Sequence, residues 1–274
     1  MRPSILERLA VNLALVAACA VTLAPLVWVV DLALTPGKTL SASLAPDPSL
    51  WSLENFRELA TPLRLRQLAN SLVVSGVTTV VALAIACSAA YALSRFDFPG
   101  RRSGLRLFLI SQMFPSVLSA VPIYILLHRL HLIDNLGGLV LVYAATAVPF
   151  SIWMLKGYFD QIPRELEEAA LLDGASRWTV FTKVALPLAR PGIAVTALFA
   201  FMSAWNEFIL AATFLDSESR YTLPVVLQGF VGAYGARWGL FAAGSIVVSI
   251  PVVLLFYALQ RSLVQGLAVG AVKG

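Results

Sequence analysis

Long runs without a charged residue divide the chain into a few apolar blocks. They cover Leu9–Val30, Gln67–Ser94, Leu107–Leu127, Asn135–Leu155, Pro191–Asn206 and Trp238–Gln260. A helix needs about 20 apolar residues, at about 1.5 Å each, to cross about 30 Å of hydrocarbon. Five of the six runs reach that length directly. Pro191–Asn206 reaches it only if Glu207 is tolerated and the run continues from Phe208 to Leu215. The pattern predicts six membrane-spanning helices. A further uncharged stretch, Tyr221–Ala236, is punctuated by Pro224, Gly229, Gly232 and Gly235. A seventh crossing is one reading of it. A short, broken helix at the outer surface is the favoured one, because a bilayer tolerates unpaired backbone only where protein or water covers it.

The first run has the basic flank of a signal peptide in Arg2 and Arg8 and small residues at Ala17-Ala18-Cys19-Ala20. It is longer than the about 7–15 residues of a signal h-region, and no soluble domain follows, so it reads as a retained first helix. The expected organisation is an N-terminal transmembrane helix in 1–34, an extracytoplasmic loop in 35–66, a core of five transmembrane helices in 67–261, and a tail in 262–274. The core includes a cytoplasmic loop at 156–190.

Composition agrees. Of 274 residues, 59% are apolar and 13% are charged, and mean hydropathy is +0.82; soluble domains carry about 45–50% and about 25%. A water-soluble domain, a disordered chain and a nucleic-acid-binding module are excluded. The net charge of +5 matters less than its distribution. Thirteen of the 20 Lys and Arg fall on the side that carries both termini and seven on the other, with Arg95, Arg101 and Arg102 in one short turn. The positive-inside bias puts both termini in the cytoplasm. Cys19 and Cys87 lie inside apolar runs and read as small buried hydrophobes. The two histidines, His128 and His131, make no metal site.

The loop at 156–190 carries the most local information. Pro163 suits a first helical position, and Glu165, Glu167 and Glu168 complement the positive end of a helix. Asp173-Gly174 supplies a stop, with Gly174 left-handed, and Ser176 caps a second short helix through Trp178, Phe181 and Val184. Leu186-Pro187 and Pro191-Gly192 end that helix and open the next span. Leu166, Ala169, Ala170 and Asp173 share one face. Periodicity leaves two readings of that face: packing on its own bundle, or docking into a groove on a cytoplasmic partner.

Glu168-Ala169-Ala170, Gly174 four residues after Ala170, and Val184-Ala185-Leu186-Pro187 further on resemble the EAA loop of ABC-importer permeases. Tyr91–Gly100, Gln112-Met113-Phe114-Pro115, Trp205-Asn206-Glu207-Phe208 and the tail from Gln260 are similar to the carbohydrate-uptake branch of that family, the MalG-like subunits of maltose- and trehalose-type transporters. The resemblance covers about Asn70 to the C-terminus. It implies an all-α integral membrane protein of six transmembrane helices, a type I (MetI-like) permease core with an added N-terminal helix, in a bacterial or archaeal cytoplasmic membrane. It also implies that Glu168, Ala169, Ala170, Asp173, Gly174, Leu186 and Pro187 couple the chain to an ATP-hydrolysing subunit. The expected partners are a homologous second permease, ABC ATPase subunits, an extracytoplasmic solute-binding protein and membrane lipid, with no nucleic acid. The chain has no Gly-rich phosphate loop of the G-x-x-x-x-G-K-[ST] kind, so ATP and magnesium belong to the ATPase partner and this chain is a non-catalytic subunit without a cofactor of its own. The resemblance further raises insertion of the Gly-rich tail between partner subunits.

Polar groups on the substrate path are expected at Asn206 and Glu207, and more weakly at Gln112, Ser116 and Ser119. A charge in the membrane costs about 2.5–3.5 kcal/mol on insertion scales and needs a cavity or a partner. At about 1.5 Å per residue from Pro191, Glu207 lies about 24 Å along its span, away from the midplane, which favours an interhelical or intersubunit hydrogen bond over a sugar contact. The alternative function is an ion-gradient-driven secondary transporter, which would show inverted repeats and several midplane ionisable groups. A membrane enzyme would need a convergent catalytic constellation, and none is visible.

Overall fold

The computed structural model describes residues 5–38, 46–232 and 235–271. Its order is α1 (Ile5–Leu34), α2 (Glu54–Leu59), α3 (Pro62–Arg95), α4 (Arg101–Gln112), α5 (Ser116–Arg129), α6 (Leu136–Phe159), α7 (Arg164–Leu172), α8 (Arg177–Val180), α9 (Leu186–Leu188), α10 (Arg190–Trp205), α11 (Ile209–Phe214), α12 (Leu223–Gly229) and α13 (Trp238–Ala271). A π-helical turn, Phe181–Ala185, joins α8 to α9. Among the described residues the only sheet is a small antiparallel hairpin, β1 (Val231–Gly232) with β2 (Gly235–Ala236).

Helices α1, α3, α6 and α13 are long and apolar enough to cross a bilayer unaided. Two bent pairs add up to two more crossings: α4 with α5, bent by 103°, and Arg177–Leu188 with α10, bent by 74°. Counting each pair once gives six. Helix α1 exposes Leu13, Val16, Val21 and Val27 on several sides, as a helix does when its solvent is lipid. Cys19 is exposed on the same helix and Cys87 is half-buried, so the expectation of two buried cysteines is corrected. A thiol needs no burial when the surroundings are themselves apolar.

The chain divides into two compact units, residues 1–65 with 226–250, and residues 66–225 with 251–274. In the first, Leu32 and Ala33 of α1 pack on Ala242 and Ala243 of α13, with Phe56, Leu59 and Trp238 around them. Asn55 Nδ2 donates to the Ala33 carbonyl at 2.8 Å.

In the second unit, Ala82, Ala147 and Ala200 let α3, α6 and α10 approach closely, the small-residue packing usual between membrane helices. Gly192 of α10 lies against Tyr158, and a Cβ there would stand 2.3 Å from the ring. One end of the core holds Leu127, Leu139, Tyr143 and Phe214; another cluster holds Leu155, Phe159, Phe181 and Ala185. The first residues of α3 within this unit bind the 218–223 segment. Gln67 Nε2 donates to the Glu218 carbonyl at 2.7 Å, Asn70 Nδ2 to the Ser219 carbonyl at 3.0 Å, and Ser71 Oγ accepts from the Leu223 amide at 2.7 Å. Asp134 is held similarly, by the amides of Asp216 and Ser217 and by the Ser217 hydroxyl. Burial opposes its charged form, but these bonds outweigh it and keep the carboxyl below the usual carboxylate range.

Several boundaries differ from the sequence reading. The expected third span, Leu107–Leu127, breaks at Met113-Phe114-Pro115, because proline has no N–H to continue the helix and pushes the preceding residue out of the helical region. The fifth span does not run through to Leu215: the chain leaves the helix at 206–208 and restarts at Ile209. α3 begins at Pro62, inside the expected 35–66 loop, where Thr61 Oγ1 accepts from the Arg64 amide. α13 runs on to Ala271, so most of the expected 262–274 tail is helical, while residues 272–274 lie outside the described residues. The Tyr221–Ala236 stretch forms α12 and the hairpin, with 233–234 outside the described residues.

Candidate functional site

The segment from Asp160 to Leu188 forms a compact shelf of short helices next to the C-terminal ends of α3 and α6. Pro163 is the residue before α7 (φ −57°, ψ 131°), not its first helical position, and Arg164 opens the helix. The Pro163 ring excludes no hydrogen bond there, since the first N–H groups of a helix are unpaired anyway. At the other end Gly174 has φ +87°, its amide donates to the Leu171 carbonyl, and the Ala175 amide donates to the Ala170 carbonyl, both at 3.0 Å. That is a Schellman stop, which needs a residue at ease with positive φ. Ser176 then accepts from the Thr179 amide at 3.2 Å and starts α8.

Of the residues that the resemblance assigned to coupling, Glu168, Ala169, Asp173 and Gly174 are exposed and Ala170 is half-buried, all on α7 and its turn. Leu186 and Pro187 are half-buried at α9. The exposed set continues into side chains to which the resemblance assigned no coupling role. Leu172 is 90% exposed and Trp178 is 71% exposed, with Leu166 and Leu171 also open. Large apolar side chains exposed together on a short stretch of shelf are surface of the kind that marks a protein contact.

A polar cluster lies around the buried side chain of α7. Glu167 is buried; its Oε1 accepts from Arg95 Nε and its Oε2 from the Tyr91 hydroxyl, each at 2.7 Å. Arg95 Nη2 donates to the Ile162 carbonyl at 3.0 Å and Nη1 to Ser94 Oγ at 3.1 Å. Ser94 Oγ in turn donates to Asp160 at 2.7 Å, and Lys156 Nζ reaches the other oxygen of Asp160 at 2.5 Å. Burial disfavours the Asp160 charge, but the bonds from Lys156 and Ser94 outweigh it and hold the carboxyl below its usual range. Tyr91 also packs on Phe181, centroid to centroid 4.8 Å, and on Phe159 at 5.6 Å. Arg177 lies over the Phe96 ring at 5.4 Å. An open cavity of about 240 Å³ is lined here by Tyr91, Arg95, Glu167, Glu168 and Arg177 among others. The sequence reading treated Glu167 only as a charge near a helix start and missed Tyr91 and Arg95 as its holders. The i,i+4 spacing of Tyr91 and Arg95 was the one available signal.

The substrate-path candidates do not form one group. Glu207 Oε2 accepts from the Tyr143 hydroxyl at 2.7 Å, and its carboxylate caps α11 through the amides of Leu210 (3.0 Å) and Ala211 (3.1 Å). Asn206 is exposed at the C-terminal end of α10. Gln112 ends α4 and donates to the Thr146 carbonyl at 3.2 Å. Ser119 is half-buried on α5, which begins at Ser116. Among the described residues no cluster of His, Cys, Asp or Glu has metal-binding geometry.

Residues 68–269 match the family of binding-protein-dependent transport system inner membrane components. The putative ABC transporter permease protein ORF1 of Streptomyces antibioticus is 44% identical over 223 residues, covering 81% of this chain and 97% of its own. The trehalose transport system permease protein SugB of Mycobacterium tuberculosis is 36% identical over 255 residues, covering 92% and 93%. The maltose/maltodextrin transport system permease protein MalG of Salmonella typhimurium is 36% identical over 287 residues, covering 98% and 97%. In fold, the chain is similar to a subunit of a crystallised bacterial ABC transporter involved in the import of the acidic polysaccharide alginate, with a TM-score of 0.81 at 23% identity over 96% of this chain and 99% of that one. A chain of the MetNI methionine ABC transporter gives 0.61 at 19% identity, over 77% and 97%. A family match over most of the chain, with relatives above 30% identity along nearly their full length, makes this protein a member of the binding-protein-dependent ABC-importer permeases of the inner membrane.

Proposed function

We propose that the chain is one half of a heterodimeric permease that moves a sugar, a di- or oligosaccharide such as trehalose or maltose, into the cytoplasm. Relatives named for trehalose, maltose and maltodextrin transport support that substrate class. ATP and its magnesium sit on ABC ATPase subunits docked against α7–α9, and an extracytoplasmic solute-binding protein delivers the sugar. Both termini and the α7–α9 shelf then face the cytoplasm, in line with the bias of Lys and Arg. Glu168, Ala169, Ala170, Asp173 and Gly174 form the docking knob, and Leu186 and Pro187 carry its displacement toward α10. The single observation that carries the reading is the exposure of Leu166, Leu171, Leu172 and Trp178 on a shelf whose helix α7 buries a carboxylate.

On the substrate path, Asn206 and Gln112 keep exposed polar atoms that match sugar hydroxyls. The Glu207 carboxylate is occupied by Tyr143 and α11 and serves the joint between helices. The test is uptake by proteoliposomes holding both permeases, the ATPase and the binding protein. Labelled disaccharide accumulates with ATP and magnesium and does not accumulate with a proton or sodium gradient alone. Gradient-driven uptake without the ATPase would contradict the reading.

A further inference from the structure

Helix α7 is built the wrong way round for a surface helix. Its leucines, Leu166, Leu171 and Leu172, are exposed, and the one side chain it buries is Glu167. An amphipathic helix ordinarily buries its leucines, so α7 is not held to its bundle by apolar packing of its own. Its buried tie is one carboxylate gripped by two donors on consecutive turns of α3, the Tyr91 hydroxyl and Arg95 Nε, with a longer bond from Arg164 Nη2 to the Ser94 carbonyl at 3.3 Å beside it. The Arg95–Glu167 pair is 8% exposed on each side. The same guanidinium also holds the Ile162 carbonyl, so it fixes both α7 and the residue leading into it.

We propose that Glu167 is a positioning residue, and that the Arg95–Glu167–Tyr91 clasp makes α7 and the C-terminal end of α3 move as one body, so that displacement of the shelf reaches a membrane span directly rather than only through the chain at α9. This rests on the docking role given to α7 above. Each carboxylate oxygen is held by a different side chain of α3, and the other guanidinium nitrogens are fixed at Ser94 and Ile162, so orientation as well as distance is set, which a slippery apolar contact does not do. α9 and α10 offer the other route, but a bend of 74° and a π-helical turn lie along it.

A buried ion pair can often be replaced by apolar side chains of similar volume without loss of folding, whereas removal of one partner strands a charge. The double variant R95M/E167L therefore separates anchoring from orientation. In the reconstituted complex it assembles with the ATPase, hydrolyses ATP within about twofold of the parent rate, and transports about tenfold less sugar per ATP, within the span usual for coupling between sites. Y91F, which keeps the ion pair, loses about two- to threefold of the same ratio, since one of the two side-chain hydrogen bonds to the carboxylate is removed while the other stays. Unchanged sugar per ATP in R95M/E167L would overturn the proposal. So would loss of ATPase binding and uptake in equal proportion, which is the mark of a merely structural contact. Failure of the docking reading is distinguishable, because the parent chain itself would then show no bound ATPase and no ATP-driven uptake.

Discussion

Two glutamates in this protein occupy opposite kinds of place, and each contradicts the environment its neighbours in sequence imply. Glu207 lies in an apolar run, where a charge asks for a cavity; Glu167 lies in an acidic cluster, where a charge asks only for water. In the fold Glu207 is consumed locally, by two amides at the start of α11 and by Tyr143 of α6. Glu167 is carried inward, against a cation and a phenol of a distant helix. Each carboxylate receives one tyrosine hydroxyl at 2.7 Å. The difference lies in the remaining partner. Backbone amides at a helix start satisfy a carboxylate without tying it to another moving part, while a guanidinium on another helix makes a mechanical link. Glu207 starts a helix and takes one neutral hydroxyl from α6, whereas Glu167 is ion-paired to the helix it is tied to.

The comparison can be sharpened first at the shelf. Gly174→Ile forces a β-branched residue into φ +87°, where such residues are strongly disfavoured. The helix stop shifts and the exposed side chains are misaimed. Uptake in proteoliposomes is expected to fall more than about tenfold, the scale on which coupling between sites is set, while the helices still insert. Normal uptake by an assembled variant would remove the shelf geometry from the mechanism.

Glu207→Ala probes the other member of the pair. It removes the α11 cap, worth about 0.5–2 kcal/mol, and leaves the buried Tyr143 hydroxyl without its acceptor, at about 1–3 kcal/mol. Thermal unfolding in detergent should show a clear drop in Tm, with sugar transported per ATP unchanged at temperatures where the variant is folded. A fall in that ratio with an unaltered Tm would move Glu207 from the joint to the substrate path.

The spans were legible because a bilayer demands long apolar runs: Leu9–Val30 and Trp238–Gln260 lie inside observed helices, and Asn135–Leu155 begins one residue before α6. Gly174 as a stop and Ser176 as a start were equally legible, since local chemistry alone decides them. What was not legible depended on contacts remote in sequence. Pro115 and Glu207 both stand where a helix breaks, yet the α4–α5 bend and the α11 restart are set by how the freed backbone is recaptured. The burial of Glu167 depends on Arg95, 72 positions away. Periodicity gave the right face of α7 to Leu166 and Ala169 but left open whether that face pointed in or out.

The direct test of the whole account is a cysteine placed at Leu172, the most exposed leucine of the shelf, in an otherwise cysteine-free complex. A short bifunctional reagent is expected to link it to the ATPase, and a membrane-impermeant thiol reagent applied from the extracytoplasmic side is expected to leave it unlabelled. Labelling from that outer side, or an assembled complex in which the cysteine never reaches the ATPase, would contradict the claim that this shelf is where ATP hydrolysis takes hold of the permease.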